Sequence, residues 1–126
     1  MAELDDLLER FRLRPYRGQT VEILPGGVRK LADVAMAVTG RPKLLLLDEP
    51  TSGVAVEEKF LLMDVIMRAI EGTGTTALFV EHDMDIVGRY ADRVLAFYAG
   101  RIIADGKPGA VLSNEEVQRY VTGGAG

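Results

Sequence analysis

Two short apolar runs, each closed by acids, constrain this chain more than any other feature. The first, KLLLLD at 43–48, sets four leucines in a row before Asp48. The second is TTALFVEH at 75–82. A half-exposed strand alternates apolar and polar residues, so four consecutive leucines predict a strand buried on both faces, as in a parallel sheet. Between the runs, VEEKFLLMDVIMRAIEG carries Phe60, Met63, Met67 and Ile70 at helical spacing, with acids early and Gly72 closing it. Strand, helix and strand joined by short turns predict an α/β fold on a mainly parallel sheet flanked by helices.

The remaining segments fit that frame. Leu4, Leu7, Leu8 and Phe11 share one helical face, which predicts a helix over 3–12. RLRPYRGQTVEILPGG reads as loop, punctuated by Pro15, Gly18, Pro25, Gly26 and Gly27. A second helix is expected from about Val28, with Val28, Leu31, Ala35 and Val38 inward, and Gly40 and Pro42 stopping it. DMDIVGRYAD predicts a short helix capped by Asp83 and weakened by Gly88. RVLAFYAGRIIADGK predicts an antiparallel strand pair joined at Ala99-Gly100. Ser113 and Glu116 have capping-box spacing, which predicts a last helix ending near Val121, followed by a frayed GGAG tail.

Composition excludes several functions. The chain has no cysteine and one histidine, so thiolate sites, structural disulfides and multi-histidine zinc sites are out. A net charge of −4 with no basic stripe argues against nucleic acid as a partner. The opening MAELDDLLERF is acidic and amphipathic and does not read as a signal peptide. No apolar run reaches the ~18 residues of a membrane-spanning helix.

The chemistry concentrates after the leucine run, in DEPTSG. Acids are common in turns and Pro50 stops a strand, so this segment also suits an ordinary strand exit. The functional reading is metal–nucleotide chemistry. A carboxylate at a rigid strand end can hold Mg²⁺, usually through water, and a second one beside it can orient or deprotonate an attacking water. Consecutive residues leaving a strand point in different directions, as two jobs require. Ahead of the strand, Gly26 and Gly27 open a helix, where backbone N–H groups and the helix dipole favour an anion. After it, His82 closes the second strand, at the edge of a parallel sheet where Asp48 is also expected. A lone histidine is more often a surface or capping residue; its position gives it interest.

In order, LPGGV, a helix, LLLLDEPTSG, a helix and LFVEHD resemble the ATP-binding subunit of ABC transporters: a signature motif, a Walker B strand with its glutamate, a D-loop and a switch histidine. The resemblance runs on through YADRVLAFYAGRIIADGKPGAVL to the last helix and covers nearly the whole chain. VEHDM, SGVAVEE and EEVQRYVTG look most like the ATPases of branched-chain amino-acid importers. The resemblance implies one partial ABC ATPase domain over 1–126. Residues 1–27 would be the end of a helical subdomain and the signature; residues 28–126 would hold the remaining motifs. It implies that Asp48 coordinates the Mg²⁺ of ATP, Glu49 polarises the hydrolytic water, and His82 contacts the γ-phosphate. Gly26 and Gly27 would close over ATP held by an opposite subunit, and Ser52 would belong to the D-loop coupling the two sites. The implied partners are a second ATP-binding subunit, identical or not, and membrane permease subunits. The implied place is cytoplasmic, peripheral on the inner face of the cell membrane.

The family's phosphate loop, G-x-x-x-x-G-K-[ST], has no counterpart. GRIIADGKP at 100–108 has five residues between its glycines and a proline where the hydroxyl belongs, and it lies in an expected strand pair. The chain thus resembles the C-terminal half of the family's domain, with the phosphate-loop half absent. Losing three charge-assisted bonds at ~2 kcal/mol each weakens nucleotide binding by ~6 kcal/mol, about four decades. The chain alone is therefore expected neither to hold ATP usefully nor to hydrolyse it. Pro25 stands at the usual signature serine, Val28 at a polar position and Ala55 at a common aspartate, all of which predict a weakened signature. A sheet lacking one side would expose leucines meant for burial and favour association. Two other readings stay open: an interaction module that pairs with a separate chain supplying the phosphate loop, and a soluble ATPase linked to nucleic acid.

Overall fold

The computed structural model describes residues 2–123, so the last three residues of the expected GGAG tail lie outside it. The described residues divide into two compact units, one ending at Val80 and the other beginning at Glu81.

The first unit runs α1 (Ala2–Arg10), two 3-10 turns (Arg14–Tyr16 and Val21–Ile23), α2 (Gly26–Val38), β1 (Leu44–Asp48), α3 (Val56–Ile70) and β2 (Thr76–Val80). The first turn of α1 holds Glu3 and Asp5, and Arg10 sits in its last turn, in accord with the helix dipole. Arg10 also donates to the Ala69 carbonyl at 2.8 Å, satisfying a carbonyl in the last turn of α3. Phe11, Met63 and Ile66 are completely buried, with Leu13, Leu62, Val65, Val34 and Ala35 buried around them. The helical spacing of Met63 and Ile70 is thus a core stripe. Helix α2 starts two residues earlier than the apolar periodicity suggests, because Pro25 is its N-cap and both glycines adopt helical geometry. Val34 and Ala35 are its buried residues, whereas Val28, Leu31 and Val38 are only half-buried.

Strands β1 and β2 pair in parallel, in register from Leu44 beside Thr76 to Asp48 beside Val80. Helix α3 is the crossover a parallel pair needs. Hydrogen bonds from Thr76 N to Lys43 O (2.8 Å) and from Thr75 Oγ1 to Pro42 O (2.8 Å) pin the entry ends together.

The two-sided burial that four consecutive leucines predict is not realised among the described residues, in keeping with the exposure expected of a sheet lacking one side. Leu45 and Leu47 are buried, but Leu44 and Leu46 are 51% and 67% exposed. Leu78 and Val80 on β2 are likewise exposed, while Ala77 and Phe79 are half-buried. The pleat sends alternate residues to opposite faces, and the described residues cover only one of them. Leu44, Leu46, Leu78 and Val80 therefore form one uncovered apolar face.

The second unit runs α4 (Met84–Tyr90), β3 (Val94–Tyr98), β4 (Arg101–Gly106), α5 (Pro108–Leu112) and α6 (Glu115–Tyr120). Asp83 caps α4 as its sequence position implies, its carboxylate accepting from the N–H groups of Asp85 and Ile86. Strands β3 and β4 form the expected antiparallel hairpin, with a register shift at Ala96/Phe97. Its two turn residues, Ala99 (φ 51°) and Gly100 (φ 78°), both take the left-handed conformation of a tight hairpin turn. Arg93 makes two 2.8 Å hydrogen bonds to the Asp105 carboxylate across the pair. Ala96, Val111 and Val117 form a small core, joined by Val94, Ile103 and Ala104.

The expected Ser113–Glu116 capping box does not form. Ser113 terminates α5, its hydroxyl donating back to Gly109 O at 2.7 Å, and Asn114 caps α6 by accepting from Val117 N. A helix opening at Pro108 consumes the serine that the spacing assigned to the next one.

Candidate functional site

The carboxylate turn is built by the end of β1. Asp48 is the last strand residue, exposed, and aligned with Val80 at the exit end of β2. Glu49 is half-buried and takes φ 48°, a conformation few non-glycine residues adopt, on the amino side of a proline that ordinarily favours an extended neighbour. Three backbone contacts hold it there. Its N–H donates to Val80 O at 2.9 Å, prolonging the β1–β2 ladder by one step. Its carbonyl accepts from Ser52 N at 3.0 Å, closing the turn. The same carbonyl accepts from the Lys30 ammonium of α2 at 3.5 Å. Pro50 and Thr51, the two central residues of the turn, are buried, and Gly53 (φ 74°) follows it with a left-handed step. A side chain held at positive φ costs about 1–3 kcal/mol, which surrounding contacts must offset.

The glycine pair lies in the same unit. Gly26 and Gly27 form the first turn of α2, and the Pro25 cap offers no side-chain acceptor to their N–H groups. A Cβ at Gly26 would meet nothing within 4 Å, and one at Gly27 would meet only Glu58 Oε2 at 4.0 Å. The approach to this helix end is open enough for an incoming group to reach the backbone. Lys30, one turn further along α2, joins the helix to the carboxylate turn. An open cavity of about 250 Å³ lies beside them, with Lys30, Asp33, Asp48 and Pro50 among its walls and Val34, Leu45, Leu47 and Ile66 as its apolar floor.

Asp48, Glu49, Ser52, Gly26 and Gly27 thus all fall within the first unit. His82 is exposed and belongs to the second unit, two residues after Val80 in the chain. Among the described residues no three histidine or acidic side chains converge as a metal cage. Asp48 offers one carboxylate of hard oxygen donors, which fits Mg²⁺, an ion that takes one or two carboxylates and fills its shell with water and phosphate oxygens. Lys30 is the residue that sequence reading missed. Its place one turn beyond the glycines is legible, but not that its ammonium reaches the Glu49 carbonyl.

No protein-family model matches the chain. It is 34% identical over 113 residues to the cobalt import ATP-binding protein CbiO of Rhodobacter capsulatus, which spans 90% of this chain and 40% of that protein. It is also 34% identical over 115 residues to the petrobactin import ATP-binding protein FpuC of Bacillus anthracis, 91% of this chain and 42% of that protein. Among solved structures, cbiO1 of Clostridium perfringens, part of the ABC transporter complex cbiONQ, superposes with a TM-score of 0.80 at 31% identity. That match covers 91% of this chain and 46% of that one. The chain spans about 40% of the length of the curated relatives it matches. With an identity above three residues in ten over nine-tenths of its length, and the same fold, the chain matches part of the ATP-binding subunits of ABC transporters.

Proposed function

We propose that this chain is the C-terminal portion of the ATP-binding subunit of an ABC importer, one that couples ATP hydrolysis to solute uptake. The observation that carries the reading is the Glu49 turn. An acidic residue is locked at positive φ immediately after an exposed strand-end aspartate, and its N–H is bonded to the exit of the neighbouring parallel strand. Two adjacent carboxylates at a strand end, the second on a backbone held at positive φ, suit one for the metal of a nucleotide and one for the attacking water. In this reading Asp48 would hold Mg²⁺ and Glu49 would orient and deprotonate the attacking water. His82 meets the γ-phosphate, Gly26 and Gly27 offer N–H groups to the nucleotide of an opposite subunit, and Ser52 serves the coupling loop. Bound Mg²⁺ would supply charge neutralisation at the phosphates. Residues 1–126 act as one partial domain, working with a second ATP-binding subunit and membrane permeases on the cytoplasmic side. Branched-chain amino acids are the proposed solute class, on the strength of VEHDM, SGVAVEE and EEVQRYVTG; the names of the relatives above speak of cobalt and petrobactin.

The exposed face of Leu44, Leu46, Leu78 and Val80 favours a second reading, in which the chain folds against a separate chain that carries the phosphate loop. Calorimetric titration with Mg-ATP tests both. The chain alone is expected to show no micromolar binding. Co-expression with an upstream-encoded chain bearing G-x-x-x-x-G-K-[ST] is expected to yield a complex with ATPase activity that Glu49→Gln abolishes. Micromolar binding by the chain alone, or a complex indifferent to Glu49→Gln, refutes the proposal.

A further inference from the structure

We propose that Lys30 is a positioning residue for Glu49: by holding the Glu49 carbonyl it steadies the backbone turn that carries the carboxylate and links that turn to the glycine end of α2. The function assigned to Glu49 rests on the reading above; the mechanical link does not. Glu49 is the acid at positive φ in the turn, and such a conformation persists only where the surroundings over-determine it. Two of its contacts are local consequences of strand and turn: Val80 O takes its N–H, and Ser52 N closes on its carbonyl. A further contact comes from another element, nineteen residues earlier in the chain. At 3.5 Å the Lys30 ammonium stands at the outer limit of a hydrogen bond, so its hold is chiefly the attraction of a full charge for a carbonyl dipole. Lys30 is half-buried there, where such attraction is screened less than at a fully exposed site. Because Lys30 lies one turn beyond Gly26 and Gly27, a group docking on those glycines and a displacement of Glu49 would be felt through the same helix.

Hydrogen exchange on the intact chain tests the link without any nucleotide. Lys30→Met is expected to speed exchange of the Ser52 and Glu49 N–H groups about fivefold, as loss of one modest hydrogen bond predicts. The Thr76 N–H, at the far end of the same strand pair, should be unchanged, and Lys30→Arg should restore slow exchange. Unchanged turn exchange in Lys30→Met, an equal rise at Thr76, or failure of Lys30→Arg to restore it would each overturn the proposal. In a complex with a chain supplying the phosphate loop, Lys30→Met should lower kcat about fivefold with KM for Mg-ATP unaltered. A raised KM at normal kcat would overturn the positioning role. If the unmutated complex hydrolyses nothing, the functional reading fails while the exchange result still decides the link.

Discussion

Leu45 and Leu46 are neighbours of one residue type in one strand, yet the structure gives them opposite environments. Leu45 is 4% exposed and Leu46 67% exposed. Replacing either with alanine changes strand propensity alike, so the difference between the two variants reports burial alone. Full burial of a leucine contributes about 2–3 kcal/mol, and the cavity left by truncation adds to the loss. Leu45→Ala should therefore cost the first unit ~3 kcal/mol. Leu46 keeps only a third of its surface from water and leaves no closed cavity, so Leu46→Ala should cost ~0.8 kcal/mol. Urea unfolding followed by circular dichroism at low micromolar concentration separates these values readily. Equal losses for the two variants, within about 0.5 kcal/mol, would refute one-sided burial of the sheet. Repeating the pair in a complex that covers this face should raise the cost of Leu46→Ala toward that of Leu45→Ala.

Further outcomes follow from the same geometry. The isolated chain should associate through Leu44, Leu46, Leu78 and Val80, and Leu46→Lys should shift its sedimentation toward monomer; a monodisperse unmutated monomer would contradict this. Asp83→Ala removes the acceptor for two N–H groups of α4 and should destabilise that helix by ~1 kcal/mol, visible as faster exchange of the Asp85 and Ile86 amides. The hydrogen bonds from Arg93 hold the Asp105 carboxyl below its ordinary value of 3.8, somewhat opposed by desolvation. A depressed carboxyl stabilises the fold above its unfolded value and loses that contribution as pH falls toward the folded one, so any contribution of the pair should vanish only below about pH 4. Side-chain NMR titration of Asp105 checks it, and a midpoint at or above 3.8 would contradict the pairing.

Much of the fold was legible in local pattern. The helix of 56–70, the parallel strands around it, the Asp83 cap and the turn at Ala99-Gly100 all follow from short-range rules: apolar period, acids near helix starts, and a turn that needs left-handed residues. The Ser113 reading failed for a local reason too, since a proline-initiated helix used that serine first. Residue types and order singled out Asp48, Glu49, Ser52, Gly26, Gly27 and His82 as candidates; the first five fall in the first unit and His82 in the second. What pattern could not show was the carbonyl of Glu49 meeting Lys30, because a contact nineteen residues apart leaves no periodic trace.

The chain by itself determined its elements, their order and the identity of the chemical groups at the strand end, because these depend on neighbours within a few residues. Only the tertiary structure decided which leucines meet water, which contacts hold Glu49 at positive φ, and that α2 touches the acid turn. Those outcomes depend on what packs against each face. A run of four leucines records a preference for burial, but the layers actually present decide how many faces are buried.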